Sequence, residues 1–221
     1  GVVIAAPHEG FDEHTSPIAK SVAGSLGAGW VVANGYRDPA RQQWIDVNRP
    51  TQREYVGGKA AKGKVTRKAT KVYERYQRLL RKAGKRKRKA PLELLVEIHG
   101  HARVAMIGGQ RVRVRVIELA TRGFSEEALK GLKARYEILV AALPARDRIP
   151  LLVEQLDPTF TFRGQELKYH FRASGAKKRG SLRAESAKRI LHFELPQAIR
   201  FKPNRREAYA ALFSDLLRSL P

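Results

Sequence analysis

Apolar and polar positions follow two rhythms along this chain. Short apolar runs at 2–5, 30–34, 92–101, 149–156 and 189–196 are bounded by glycine, proline or charge, and runs of that length predict buried strands. Between them apolar residues return every three or four positions: Ile18, Val22 and Leu26, then Val65, Ala69, Val72, Tyr76 and Leu80. Leu129, Leu132, Tyr136 and Leu139, and finally Ala208, Leu212, Phe213 and Leu216, repeat the spacing, so four amphipathic helices are expected. Ser16-Pro17 is expected to cap the first helix, Ser125-Glu126-Glu127 the third and Asn204 the last, while Gly84 and Pro144 are placed to stop two of them. The alternation at 112–118 predicts one strand with a wet face, entered by a hairpin at Gly108-Gly109. A second hairpin is expected around Arg163-Gly164-Gln165, and the stretch 173–184, rich in Gly, Lys, Arg and Ser, as a lid-like loop.

Strands alternating with helices predict an α/β chain with a mixed, mostly parallel sheet flanked by helices, whose first two strands form a parallel pair with a right-handed crossover. Residues 1–221 show no repeat and no second apolar core, and read as a single catalytic domain with a basic helical insertion at about 59–90.

The loop after the first strand carries the densest chemistry. His8, Glu9, Asp12, Glu13 and His14 fall within seven residues at a strand-to-helix junction, where open α/β sheets place ligand sites. The strand at 92–101 ends in His99-Gly100-His101, and alternation sends both histidines to one side. His8, Asp12 and His99 together make a two-histidine, one-carboxylate set of the kind that holds a single zinc ion with a position left for water. Glu194, at the end of the last strand, is the candidate general base; Glu118 and Glu154 also lie on expected strands and compete for that role. Arg49 can orient a carboxylate and stabilise an oxyanion, with Arg37 and Arg103 flanking the same motifs. His14 reads as a loop residue, and His170 and His192 as packed or surface histidines.

Charge adds a second theme. Against 21 Asp and Glu stand 44 Lys and Arg, a net charge of +23, which favours acidic small molecules, acidic peptides and other polyanions, nucleic acid included. Much of it lies at 59–89, ending in Lys85-Arg86-Lys87-Arg88-Lys89, a run expected as a mobile loop. There is no cysteine, so disulfides and thiolate chemistry are excluded. No apolar run reaches membrane-spanning length and no signal-peptide pattern opens the chain, which is therefore read as cytoplasmic.

Pro7-His8 with Asp12 and Thr15, the stretch Asp46-Val47-Asn48-Arg49-Pro50, the stretch Glu97-Ile98-His99-Gly100-His101 and the stretch His192-Phe193-Glu194-Leu195 occur in that order. Together they resemble the N-formylglutamate amidohydrolase family and, less closely, zinc-dependent poly-γ-glutamate hydrolases, within the zinc carboxypeptidase-like group. The resemblance implies a phosphorylase/hydrolase-like α/β fold, one zinc ion, and hydrolysis of an amide next to a carboxylate. It would make His8, Asp12 and His99 the ligands, Glu194 the base, and Asn48 with Arg49 the substrate-orienting pair. His101, by its position alone, is a further substrate-binding candidate that either hydrogen-bonds near the metal or faces water. Glu13 remains the alternative to Asp12, which is preferred for its spacing to Thr15. The basic insertion has no counterpart in the family pattern. Two other functions stay open: a nucleic-acid-binding protein using 59–89, and a peptidase for γ-linked or cell-wall peptides.

Overall fold

The computed structural model describes residues 1–38, 40, 43–56, 59–87 and 90–220. Six strands make the central sheet: β1 (Val2–Glu9), β2 (Gly29–Asn34), β3 (Leu92–His101), β4 (Ile117–Arg122), β5 (Leu151–Val153) and β6 (Ala187–Pro196). Their spatial order is β5-β4-β6-β3-β1-β2. Every neighbouring pair is parallel except β4 with β6, so the sheet is mixed and mostly parallel.

Helices cover both faces. On one side α1 (Thr15–Leu26), α3 (Glu126–Ala141) and α5 (Pro203–Arg218) bury Ile18, Val22, Leu129, Tyr136, Tyr209 and Phe213 against Ile4, Ala6, Val96, Ile98 and Phe193 of the strands. On the other, α2 (Arg67–Ala83) packs Tyr76 and Leu80 against Val3, Ala5, Leu95 and Ile190. Odd and even positions of β1 thus serve different cores, as the period of two demands. Near the carboxyl ends of β3 and β6 the α2-facing positions change character, from Leu95 and Ile190 to Glu97, His99, His192 and Glu194. That switch places the site.

Several sequence expectations need correction. The stretch 112–118 is not one strand: Gln110–Arg113 closes a hairpin with Val104–Ile107, and β4 starts afresh at Ile117 in the main sheet. Buried Val114 and Val116 serve a small separate core with Leu152 and Tyr169, so their alternation reflects packing rather than continuous pairing. The lid-like stretch contains a helix, α4 (Ser174–Arg179). Neither Ser16 nor Asn204 is a cap, because α1 begins at Thr15 after a left-handed His14 (φ 66°) and α5 begins with Pro203 in its first turn. Ser125 does cap α3, accepting from the Ala128 N–H, and the second expected hairpin forms between Thr159–Phe162 and Gln165–Lys168. Pro39 and, in the basic run, Arg88 and Lys89 lie outside the described residues. Among the described residues no helix is long and apolar enough to cross a membrane.

Candidate functional site

β1 and β3 are hydrogen-bonded neighbours, so the loop after β1 and the end of β3 meet at one rim of the sheet. The pairing of β1 with β2 shifts register between Ala6 and Glu9, an irregularity of the kind that re-aims a side chain. The chain then turns tightly, with the Phe11 and Asp12 N–H groups both donating to the His8 carbonyl. His8, Asp12 and His99 converge there, all buried, with ligand atoms within 4.8 Å of one another. Asp12 Oδ2 lies 3.4 Å from His8 Nδ1 and 3.2 Å from His99 Nδ1. Zinc bonds of about 2.0–2.2 Å in a tetrahedron separate the ligand atoms by about 3.3–3.6 Å, so these spacings suit the ion.

Two further observations bear on the fit. Both ring nitrogens of His8 are buried without a hydrogen-bond partner, the approach to Asp12 being close but not aligned as a bond; orphaned nitrogens of this kind are what a metal satisfies. Burial, aided by the Arg37 charge, lowers the pKa of His8 to about 4, which leaves it a neutral donor. For His99, burial pulls the same way but is outweighed by Asp12 and Glu97, and the pKa rises to about 9. With nothing else bound, the ring holds a proton between two carboxylates, at the place where a cation is wanted.

Glu97, His99 and His192 form a second trio of metal-capable groups. Its carboxylate is otherwise engaged. Glu97 is fully buried and accepts from Tyr76 Oη (3.0 Å), Asn48 Nδ2 (3.3 Å), His99 Nε2 (3.4 Å) and His192 Nδ1 (3.2 Å). Burial would raise its pKa, yet the two histidines hold it well below the usual range. A carboxylate that takes the Nε2 hydrogen of a histidine frees Nδ1 to face a metal. Glu97 therefore orients His99 toward the His8–Asp12 side. It also stays behind the wall of the open cleft, which is lined by His8, Asp12, His99, His192 and Glu194 instead.

That cleft encloses about 460 Å³. Its opposite wall carries Arg37, Asn48, Arg49 and Arg103. Buried Asp46 holds two of these guanidiniums, Arg37 at 2.5 Å and Arg49 at 2.8 Å, and accepts from Thr51 Oγ1. Arg37 also lies over the rings of Phe11 and Trp44. Asn48 spends its amide nitrogen on Glu97, and its Oδ1 is buried without a partner. Gly175 of α4 rests against Nη1 of Arg49, where a Cβ would collide with the guanidinium, so α4 roofs this wall.

Other expected residues stand elsewhere. Glu13 is exposed and belongs to neither metal-capable trio among the described residues; its backbone carbonyl is held by Arg200. Glu9 caps α1, accepting from the N–H groups of His14 and Ser16 and from Thr15 Oγ1. His101 lines the cleft, but its nitrogens meet the Val116 carbonyl and the Arg103 N–H. Arg103 is tied to Glu118 and to the Lys168 carbonyl. Glu118 and Glu154 do not line the cleft; Glu118 also accepts from the His170 and Phe171 N–H groups, and Glu154 pairs with Lys177. His14 packs edge-on against Phe201, and His170 is exposed. His192 is buried, as a packed histidine would be, but in the cleft wall and between two carboxylates.

No family model matches the chain, and neither does any curated protein. Solved structures do. The chain is similar to a zinc-free YNDL structure (TM-score 0.48, 10% identity, 99% of this chain and 84% of that one). A bacteriophage poly-gamma-glutamate hydrolase matches with TM-score 0.48 and 12% identity over 99% of this chain and 83% of that one. A mutant of murine aminoacylase 3 gives TM-score 0.46 and 12% identity over 99% and 63%. At such identities the side chains of the cleft have to be read from this chain itself.

Proposed function

We propose that the chain is a zinc-dependent hydrolase that cleaves an amide bond in a carboxylate-bearing substrate, in the manner of an N-formylglutamate amidohydrolase. One observation carries this reading: the unpartnered nitrogens of buried His8, grouped with Asp12 and His99 at zinc-ligand spacing beside an open cleft. His8, Asp12 and His99 would hold the zinc, which would supply Lewis acidity and lower the pKa of a water to about 7. Glu194 takes the proton of the attacking water and returns it to the leaving nitrogen. Arg49, on the opposite wall, holds the substrate carboxylate, Asn48 can add to it only the second hydrogen of the Nδ2 that meets Glu97, and Arg37 shares the anchor on Asp46 that keeps Arg49 in place. The ion pair with buried Asp46 fixes that guanidinium, and Gly175 of α4 lies close beside it.

The test combines metal content with turnover. Elemental analysis should find one zinc per chain, lost in His8→Ala and His99→Ala. Glu194→Gln should keep the zinc and lose at least a hundredfold in kcat on N-formylglutamate or on γ-glutamyl peptides, a panel that also separates deformylation from peptidase activity. Zinc-loaded protein that cleaves no member of the panel would sink the reading.

A second reading, a polyanion contact that includes nucleic acid, is favoured by the outer face of α2. Arg67, Lys71, Arg75, Arg78 and Lys82 are exposed, recur three or four residues apart, and have no ion pair among the described residues. It concerns another surface and is compatible with the first.

A further inference from the structure

β6 and β3 run parallel with His192 opposite Glu97 and Glu194 opposite His99. Side chains two apart on a strand share a face, so these four residues form a two-by-two array in which carboxylate and imidazole alternate in both directions. Three of its four sides and the diagonal between the two rings are in contact. The His99 and His192 rings stack with centroids 4.0 Å apart and planes at 29°. Glu97 Oε2 sits 3.4 Å from His99 Nε2 and 3.2 Å from His192 Nδ1, and the far nitrogen of His192, Nε2, lies 3.3 Å from Glu194 Oε1. Among the described residues His192 is the only hydrogen-bond partner of the Glu194 carboxylate.

We propose that His192 is a positioning residue that fixes the Glu194 carboxylate over the cleft, and that Glu97 holds its ring by the same contact that orients His99. The inference rests on the hydrolase reading above. A glutamate side chain has three torsions, and at the rim of an open cleft Glu194 is ordered, among the described residues, only by His192, two positions back on β6. The bridge through His192 does so from behind. The ring cannot tilt without leaving either its stack on His99 or its bond to buried Glu97, so the base and the metal ligand are referenced to one fixed carboxylate. Preorganisation of that kind is what a proton-transferring group needs, since a misplacement of about 1 Å costs about a hundredfold in rate. It also explains a histidine on a strand otherwise given to Ile190, Leu191, Phe193 and Leu195.

The experiment uses the zinc-loaded full chain and two variants. His192→Phe keeps the ring and its stacking but has no nitrogen; His192→Gln keeps a donor that reaches toward Glu194. The phenylalanine variant should hold the parent's zinc content, keep KM within about threefold, and lose tenfold or more in kcat, with glutamine recovering most of that loss. An independent readout needs neither metal nor turnover. In the metal-free protein, labelled with ¹⁵N-histidine, the His192 Nε2 resonance, assigned by its absence in His192→Phe, should move in Glu194→Gln. A phenylalanine variant with the parent's kcat, or a resonance indifferent to Glu194→Gln, overturns the proposal. Should the parent itself hold no zinc or cleave no amide, the hydrolase reading fails while the resonance still decides whether the bridge exists.

Discussion

Asp46 shows how much one buried residue can organise. It is fully buried, and burial alone would raise its pKa, but Arg37 and Arg49 hold it below the ordinary carboxylate range. A depressed folded-state pKa contributes stability that is present above the unfolded value of about 3.9 and is lost as pH falls below it. Asp46→Asn should therefore be less stable than the parent at pH 7, by about 3 kcal/mol if the loss resembles that of one partner from a buried pair. The gap should narrow as the pH is lowered below 4. Urea denaturation at pH 7 and pH 3 measures it, and a gap of equal size at both would refute the account. The sequence showed Asp46 only as the first residue of a motif, because which arginines it holds depends on the turn that follows. His8, Asp12 and His99 were legible since each sits in a short, chemically dense stretch. Glu97 and His192 were not, because their roles come from the register between β3 and β6, which no local pattern specifies.

At the scale of elements, the loop that carries His8 and Asp12 also serves the helix that follows it. Glu9 stands just before α1, where the N-terminus carries a partial positive charge and unpaired N–H groups, and its carboxylate accepts from two of them. Glu9→Ala should cost about 1 kcal/mol of stability, the usual worth of a cap, read as a lower melting temperature. Zinc content should stay at the parent's value, since Glu9 is directed at α1 rather than at His8. Loss of the ion in that variant would place Glu9 in the coordination sphere. The central strands were readable from apolar runs because a strand covered on both faces has little room for polar residues. α4 was not, since six residues rich in Gly, Lys and Arg hold no period, and the helix forms where Gly175 lets the chain pack on Arg49. The alternation at 112–118 misled for the opposite reason: a true period of two there belongs to two different sheets.

For the molecule as a whole, charge is divided by place. The surface is strongly basic, with a net charge of +23, while the carboxylates of Asp12, Glu97 and Glu194 gather around His99, Glu97 from behind the cleft wall. Salt should slow capture of an anionic substrate, so kcat/KM should fall with ionic strength while kcat stays level. The outer face of α2 can be separated from this general field. Reversing Arg67, Lys71 and Arg75 to glutamate should flatten the salt dependence of polyanion binding far more than reversing three cations elsewhere, measured by fluorescence titration with a labelled oligonucleotide. Equal slopes in the two triple variants would reduce that binding to net charge alone.

The placement of β6 bears on how the molecule is assembled. β1, β2 and β3 can pair with one another, as can β4 and β5, but the two groups are joined in the sheet only through β6, which lies between β3 and β4. Without β6, β3 and β4 would each present an unpaired edge, the arrangement most prone to pairing with a neighbouring chain. His192 and Glu194 travel on β6. The strand that closes the sheet is also the one that sets Glu194 opposite His99, so under the proposed function a chain with β6 unpaired would lack both its closed sheet and its base.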